Sequence, residues 1–172
     1  VDGPGIDRVE GQLGFDWVSF QNDTDGVKVD LDLTIFIRPI LPVSNASIGN
    51  RYDRVEGISG SPLGDILNGT NNVAVNLSGN ELVAANRGLI TGLEGLVTDA
   101  MLTPIADDPV TGETNRIGWT GGDIILGGGG SDLLQGEGGD DILDGDSALD
   151  VGLEVNAMPD AGFAGDYRFS GS

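Results

Sequence analysis

Cysteine and histidine are both absent from the 172 residues. Their absence excludes a disulfide framework, a zinc finger, haem ligated by Cys or His, and any catalytic triad built on an imidazole. A metal bound by this chain has to be held by oxygen. Basic residues are scarce: 8 Lys plus Arg stand against 28 Asp plus Glu, for a formal net charge of −20. That balance argues against nucleic acid as a partner, because a phosphate backbone needs clustered Lys and Arg, and it disfavours an anionic membrane surface for the same reason. No apolar run approaches the roughly 20 residues of a membrane-spanning helix. The opening Val1-Asp-Gly-Pro-Gly5 carries neither an initiator Met nor a signal-peptide pattern, which predicts a piece of a longer or processed polypeptide.

What the chain has in excess is glycine and acid, and both are periodic. Glycine accounts for 30 of the 172 residues, more than twice the usual share of about 7%. So many acids would make a compact state repel itself unless cations intervene. Yet 38% of the residues are apolar and recur at regular intervals, which argues for a folded domain. From Gly118 the chain reads in nines: Gly118-Trp-Thr-Gly-Gly-Asp123-Ile-Ile125-Leu, then Gly127-Gly-Gly-Gly-Ser-Asp132-Leu-Leu134-Gln, then Gly136-Glu-Gly-Gly-Asp-Asp141-Ile-Leu143-Asp. A fourth unit opens Gly145-Asp-Ser-Ala-Leu-Asp150-Val and then decays. This is the Gly-Gly-x-Gly-x-Asp-x-(apolar)-x nonapeptide of calcium-binding parallel β-helices.

Each place has a physical reason. The glycines allow a tight turn with carbonyls directed at one point. The short strand that follows Asp sends its eighth-place residue inward by period two. Two nonapeptides complete one flattened coil, so Asp123 is expected to stack with Asp141, and Asp132 with Asp150. The predicted metal ligands are these four carboxylates, with the turns at Gly118 and Thr120, Gly127 and Gly129, and Gly136 and Gly138 contributing carbonyls. Together they offer the six to eight oxygens that Ca²⁺ takes. Two carboxylates about 5 Å apart at an effective dielectric near 20 repel by roughly 3 kcal/mol, and several such pairs rival the stability of a whole domain. The regular section is therefore expected to be loose without cation. Calcium at about a hundredfold excess over its Kd would contribute about 2.7 kcal/mol per site.

Weaker echoes come earlier. Asp7-Arg-Val-Glu-Gly11 recurs as Asp53-Arg-Val-Glu-Gly57, and each copy precedes an acid-led apolar strand, at Asp16-Trp-Val18-Ser-Phe20 and Asp65-Ile66-Leu67-Asn-Gly69. These read as degenerate coils. Asp16 and Asp65 are further candidate ligands, with a solvated turn acid or a backbone cap as the open alternative. Residues 27–35 alternate like a half-buried strand, and Pro39, Pro42 and Asn45 mark a loop near 39–50. Apolar residues at 89, 90, 93, 96, 97 and 101 follow helical spacing, weakened by Gly88, Gly92 and Gly95. The organisation predicted is degenerate solenoid coils over 1–80, a helix and linker insertion over 81–117, regular calcium-binding nonapeptides over 118–155 and a tail over 156–172. The fold class is mainly β: a right-handed parallel β-roll with irregular N-terminal coils and a short helix.

The nonapeptides resemble those of the RTX (hemolysin-type) family of secreted, calcium-dependent bacterial proteins. A narrower resemblance is carried by Tyr52-Asp-Arg-Val-Glu-Gly-Ile-Ser-Gly-Ser61 running into Asp65-Ile-Leu-Asn-Gly69, by Leu89-Ile-Thr-Gly-Leu93, and by Gly121-Gly-Asp-Ile-Ile-Leu-Gly-Gly128 through Asp144-Gly-Asp146. Together these are similar to the region accompanying an animal-type haem peroxidase domain in large bacterial RTX peroxidases, including manganese-oxidising ones. The resemblance implies a secreted, extracellular module that folds on Ca²⁺ and supports an attached peroxidase domain, with haem held only in that separate domain. That haem chemistry needs histidines, so no catalytic residue is assigned in this segment. The departures fall at Trp119 and Thr120 in the first unit, Glu137 in the third and Ala148 in the fourth. A second function class stays open, an RTX adhesin or matrix-attachment segment whose loops at 39–50 and 102–117 contact carbohydrate or protein.

Overall fold

The computed structural model describes residues 7–33, 50–71, 81–88, 90 and 92–149. The end of the strand expected over 27–35, nearly all of the 39–50 loop, Asp150 and the tail from 156 lie outside the described residues.

Short runs of Ile, Leu and Val, each soon followed by Gly or Asp, leave room for strands of about three residues. The chain is mainly β, and most of these strands pair in parallel. Strands β2 (Trp17–Ser19), β5 (Gly57–Ser59), β10 (Ile124–Leu126) and β12 (Ile142–Asp144) form a four-stranded sheet in the order β12-β10-β5-β2. Strands β3 (Lys28–Asp30), β6 (Ile66–Asn68) and β11 (Leu133–Gln135) form a three-stranded sheet in the order β11-β6-β3. The chain thus visits the two parallel sheets alternately: β2 then β3, β5 then β6, β10 then β11, and finally β12. Strands β1 (Arg8–Glu10) and β4 (Arg51–Asp53) make a separate parallel pair.

Register follows the sequence period. Ile125 pairs with Leu143 on one side and with Ile58 on the other, while Leu134 pairs with Leu67. The eighth-place residues face inward. Val18, Ile58 and Ile125 from one sheet meet Val29 and Leu67 from the other in a buried cluster, with Leu134 packed against it. Each three-residue strand contributes only one such side chain, worth about 1.5–3 kcal/mol when fully buried. Leu143 occupies the same place in edge strand β12 and is 46% exposed.

The two copies of Asp-Arg-Val-Glu-Gly do not lie side by side, since Arg8–Glu10 pairs with Arg51–Asp53. The strands compared in sequence also fall in different sheets, β2 in the four-stranded and β6 in the three-stranded. The cause is spacing: β5 follows the second copy directly, and β5 is the partner of β2. The helical stretch expected around 89–101 is broken into α1 (Ala84–Arg87), α2 (Leu93–Leu96) and a 3₁₀ turn at Asp99–Met101. Gly88 ends α1, and Gly92, at φ 92°, takes the left-handed conformation before α2.

These short helices belong to a cap that also contains β7 (Leu82–Val83), β8 (Thr103–Pro104) and β9 (Ile117–Trp119), an antiparallel sheet in the order β7-β9-β8. Leu82, Leu93, Val97 and Trp119 cluster with Ile124 and Leu126, covering the outer face of the four-stranded sheet. Arg87 ties the cap together by donating to the Val97 carbonyl at 2.7 Å and to Asp99 at 2.5 Å. The matching outward residues of the three-stranded sheet, Ile66 and Leu133, are exposed. Among the described residues no helix is long and apolar enough to cross a membrane.

Candidate metal centre

A parallel ladder places like residues side by side about 4.8 Å apart. The residue just before each strand is therefore stacked on its counterpart in the next coil. Ahead of β2, β5, β10 and β12 these residues are Asp16, Glu56, Asp123 and Asp141; ahead of β3, β6 and β11 they are Val27, Asp65 and Asp132. Two columns result, one at the start of each parallel sheet, and all but one member is an acid.

The carboxylates are oriented by the coil they stack on. Asp141 Oδ1 accepts the backbone N–H of Asp123 at 2.8 Å, and Asp132 Oδ1 accepts that of Asp65 at 2.9 Å. Asp65 Oδ1 accepts the N–H of Val27 at 2.7 Å, and Glu56 Oε2 accepts that of Asp16 at 3.0 Å. Four stacked acids thus repeat one contact. The second oxygen turns toward the preceding glycine turn. Asp65 Oδ2 accepts the Ser61 N–H at 2.6 Å, and Asp123 Oδ2 accepts the Thr70 N–H at 2.6 Å and the Thr70 hydroxyl at 3.1 Å.

Carbonyls converge on the same places. A Cβ added to Gly69 would stand 2.5 Å from Asp123 Oδ2 and 2.5 Å from the Gly136 carbonyl oxygen. One added to Gly127 would stand 2.6 Å from Asp132 Oδ2 and 2.6 Å from the Gly145 oxygen. Gly60 repeats the arrangement with Asp65 Oδ2 and the Gly127 oxygen, and Gly11 with Asp16 Oδ2 and the Arg54 oxygen. Gly11, Gly60, Gly69 and Gly127 thus each leave a cradle, open to a carboxylate and to a carbonyl of the neighbouring coil, that any side chain would fill. Asp16 Oδ2 is buried there with no hydrogen-bond partner. This donor set is hard oxygen throughout and fits a cation such as Ca²⁺. Among the described residues no three acids form a group that could hold a metal ion, so carbonyls would have to complete its shell.

The first column is electrostatically costly as it stands. Asp123 is 1% exposed and Glu56 5%. Burial, above all, pushes the Asp123 carboxyl up to about 7; the two Thr70 hydrogen bonds oppose the rise, and the charges of Asp141 and Glu56 add to it. Burial likewise raises Asp16. It also raises Asp141, against the hydrogen bond from Asp123 and with the charge of Asp140. A desolvated carboxylate keeps its proton unless a positive charge replaces it.

Of the residues read from the sequence, Asp16, Asp123 and Asp141 share the first column and Asp65 and Asp132 the second; Asp150 lies outside the described residues. Gly127 forms a cradle, and a Cβ on Gly136 would first meet the Asp141 side chain. Gly129 and Gly138 donate their N–H groups to the Ser61 and Thr70 carbonyls of the adjoining coil, at 3.1 and 3.0 Å. Gly118 and Thr120 stand elsewhere: Gly118 is in the antiparallel strand β9, facing the Leu82 carbonyl, and the Thr120 hydroxyl is 3.5 Å from that of Thr103. The glycine beside Asp123 is Gly69. Sequence reasoning missed Glu56, Ser61, Thr70, Gly60 and Gly69. Glu56 could have been found by counting two residues back from the inward Ile58, as Asp123 is counted from Ile125. Trp17 and Trp119 belong to the apolar cluster under the cap, each near Phe15 at ring-centroid distances of 5.6 and 5.9 Å.

No family model matches the chain, and comparison with curated proteins and with solved structures gives no match either.

Proposed function

We propose that the chain is a calcium-binding structural module of the RTX type: a right-handed parallel β-roll that completes its folding when Ca²⁺ neutralises the stacked acids. The observation that carries this reading is the coincidence, coil after coil, of three features: an acid stacked on the next coil, a carbonyl aimed at the same place, and a glycine leaving that place open. A purely structural turn has no need to stack acids on one another, since ionised carboxylates about 5 Å apart repel by about 3 kcal/mol a pair. Asp16, Glu56, Asp65, Asp123, Asp132 and Asp141 would hold the ions, with carbonyls of the glycine turns. The bound ion supplies positive charge, and nothing in the reading requires a reaction in this segment. Extracellular Ca²⁺ is millimolar, which suits weak sites of this kind and a secreted protein.

The chain's own residues do the organising. The backbone N–H groups of Val27, Asp65 and Asp123 orient the acids stacked on them, and Ser61 and Thr70 hold the second oxygens of Asp65 and Asp123. Association with a haem peroxidase domain, manganese-oxidising or otherwise, rests on the resemblance of 52–69, 89–93 and 121–146. It is tested by haem absorbance and peroxidase activity of a longer polypeptide with and without this segment.

The direct test is a calcium titration of chelated protein followed by far-UV circular dichroism, with magnesium as control. A cooperative gain of β signal and a higher melting temperature with calcium alone are expected. Equal responses to both ions, or none to either, would refute calcium-coupled folding.

A further inference from the structure

We infer that residues 72–120 are an insertion inside a single repeat unit, and that the unit interrupted is 69–71 joined to 121–126. The turn at Gly136–Asp141 is continuous, but it lies on two separate pieces of chain. Its first half rests on the first piece: the Gly69 N–H donates to the Gln135 carbonyl at 2.8 Å, the Gly138 N–H donates to the Thr70 carbonyl at 3.0 Å, and a Cβ on Gly138 would stand 2.9 Å from the Asn71 oxygen. Its second half rests on the other piece. A Cβ on Gly139 would stand 2.7 Å from the Gly121 oxygen, and the Asp140 N–H donates to that same oxygen at 2.6 Å. One peptide bond separates Gly138 from Gly139; beneath it, the whole of 72–120 separates Asn71 from Gly121.

Joining the two pieces on paper gives Gly69-Thr70-Asn71-Gly121-Gly122-Asp123-Ile124-Ile125-Leu126, nine residues with Gly first and fourth, Asp sixth and an apolar residue eighth. The same cut sets Gly60-Ser-Pro-Leu-Gly-Asp65-Ile-Leu-Asn68 directly before it and the units at 127–135 and 136–144 directly after. Four consecutive nonapeptides then run without a break. Sequence reading assigns the first unit to Gly118–Leu126, because Gly118 happens to fall nine residues before Gly127.

The insertion is a cap with a defined seat. Its Leu82, Leu93, Val97 and Trp119 cover the outer face of the four-stranded sheet at Ile124 and Leu126, while the equivalent face of the other sheet is bare at Ile66 and Leu133, 39% and 53% exposed. Because the two ends of the insertion form one turn, Asp123 meets Thr70 only when both ends come together. The Thr70 hydrogen bonds to Asp123 latch that closure. The cap is therefore a separable addition to the stack, and its docking sets the geometry of one acid in the column.

Two experiments test this, neither depending on calcium. In the first, three deletion variants of the 172-residue chain join Asn71 to Gly121, Asn71 to Gly122, or Asn72 to Gly121, each carrying Ile124→Thr so that the uncovered face is polar. All three lose the same cap, and only the first keeps the nine-residue spacing. A one-residue slip turns every side chain to the wrong face, so the in-register join is expected to unfold cooperatively with a urea midpoint about 1 M above the other two. In the second, one glycine is added to the intact chain after Asn71 or after Gly138. The first should leave the midpoint unchanged and the second should lower it. The proposal is overturned if the three deletions unfold alike, or if the two added glycines have equal effect.

Discussion

Asp123→Asn separates the charge of the buried acid from its shape. The amide keeps an oxygen where Thr70 donates its N–H at 2.6 Å and its hydroxyl at 3.1 Å, and it removes the ionisation that burial opposes. The wild-type carboxyl rises from 3.8 to about 7, a shift of about three units, or roughly 4 kcal/mol at 1.36 kcal/mol per unit. The folded chain therefore binds this proton more tightly than the unfolded chain does. The corresponding stability is fully present below pH 3.8 and is lost as pH rises through about 7. In calcium-free buffer the wild type should weaken steadily between pH 4 and pH 8, while Asp123→Asn should show a much flatter profile and be the more stable of the two at pH 8. With a urea slope of about 1–3 kcal/mol/M, the difference at pH 8 amounts to a midpoint shift of about 2 M. Under the proposed function, saturating calcium reverses the order, because the amide lacks the charge the ion binds. The assay is urea unfolding by circular dichroism at pH 4, 6 and 8, in resin-treated buffer and again with millimolar calcium. Asp16 and Asp141 shift in the same direction, and Asp108 and Asp144 are lowered by local hydrogen bonds and act in the opposite sense; comparison with the variant isolates Asp123. A calcium-free variant less stable than wild type at pH 8, or a wild type insensitive to pH, would refute the reasoning.

The glycine cradles and the turns offer further tests. Gly69→Ala puts a methyl group 2.5 Å from both Asp123 Oδ2 and the Gly136 oxygen and is expected to cost about 1–3 kcal/mol, whereas Gly145→Ala, with nothing within 4 Å, should change stability by less than about 0.5 kcal/mol; denaturant midpoints compare them. Ser61→Ala removes the hydroxyl that donates to Asp65 Oδ1 at 2.8 Å, leaving a buried carboxylate one donor short, and should cost about 1–3 kcal/mol by thermal unfolding. Glu137 holds φ 68° where the equivalent Gly128 holds φ 91°, so Glu137→Gly should raise stability by about 1 kcal/mol through relief of left-handed strain.

Much of this was legible in the sequence because the period acts directly. A nine-residue repeat that returns Asp to one place and Ile or Leu two places later forces parallel stacking with acids aligned, and Asp123 with Asp141 follows from counting alone. The inward positions of Ile125 and Leu134 follow from the two-residue alternation of a strand. What counting could not reveal is where the chain leaves the repeat. Gly118-Trp-Thr-Gly-Gly looks like a turn, and only the pairing of Gly118 with Val83 and Thr103 across an antiparallel sheet places it in the cap. Thr70 and Gly69 were hidden for the same reason, since their partner Asp123 lies beyond the whole insertion. Glu56 was hidden differently: the five-residue echo Asp53-Arg-Val-Glu-Gly57 drew attention to a likeness with Asp7–Gly11 that the folded chain does not use. The helical spacing from 89 to 101 is real but is cut by glycines, and tertiary cover, not propensity, decides how those apolar residues are used.

The repeat ties two opposing effects to one register. The acid and the inward apolar residue sit two places apart in the same unit, so the stack cannot separate its acids without also taking Ile58, Ile125 and Leu67 out of the core. Each added coil brings inward apolar side chains that stabilise it together with stacked acids that repel when ionised. Where the cap adds Leu82, Leu93, Val97 and Trp119 to the balance, beside Asp123, a coil can afford a desolvated acid by keeping it protonated near neutral pH. At β11 and β12 the balance lacks that help: Leu133 and Leu143 are 53% and 46% exposed. Burial raises the Asp141 carboxyl just ahead of β12, while local hydrogen bonds lower that of Asp144 within it, so acidification should stabilise this edge through Asp141 and weaken it through Asp144.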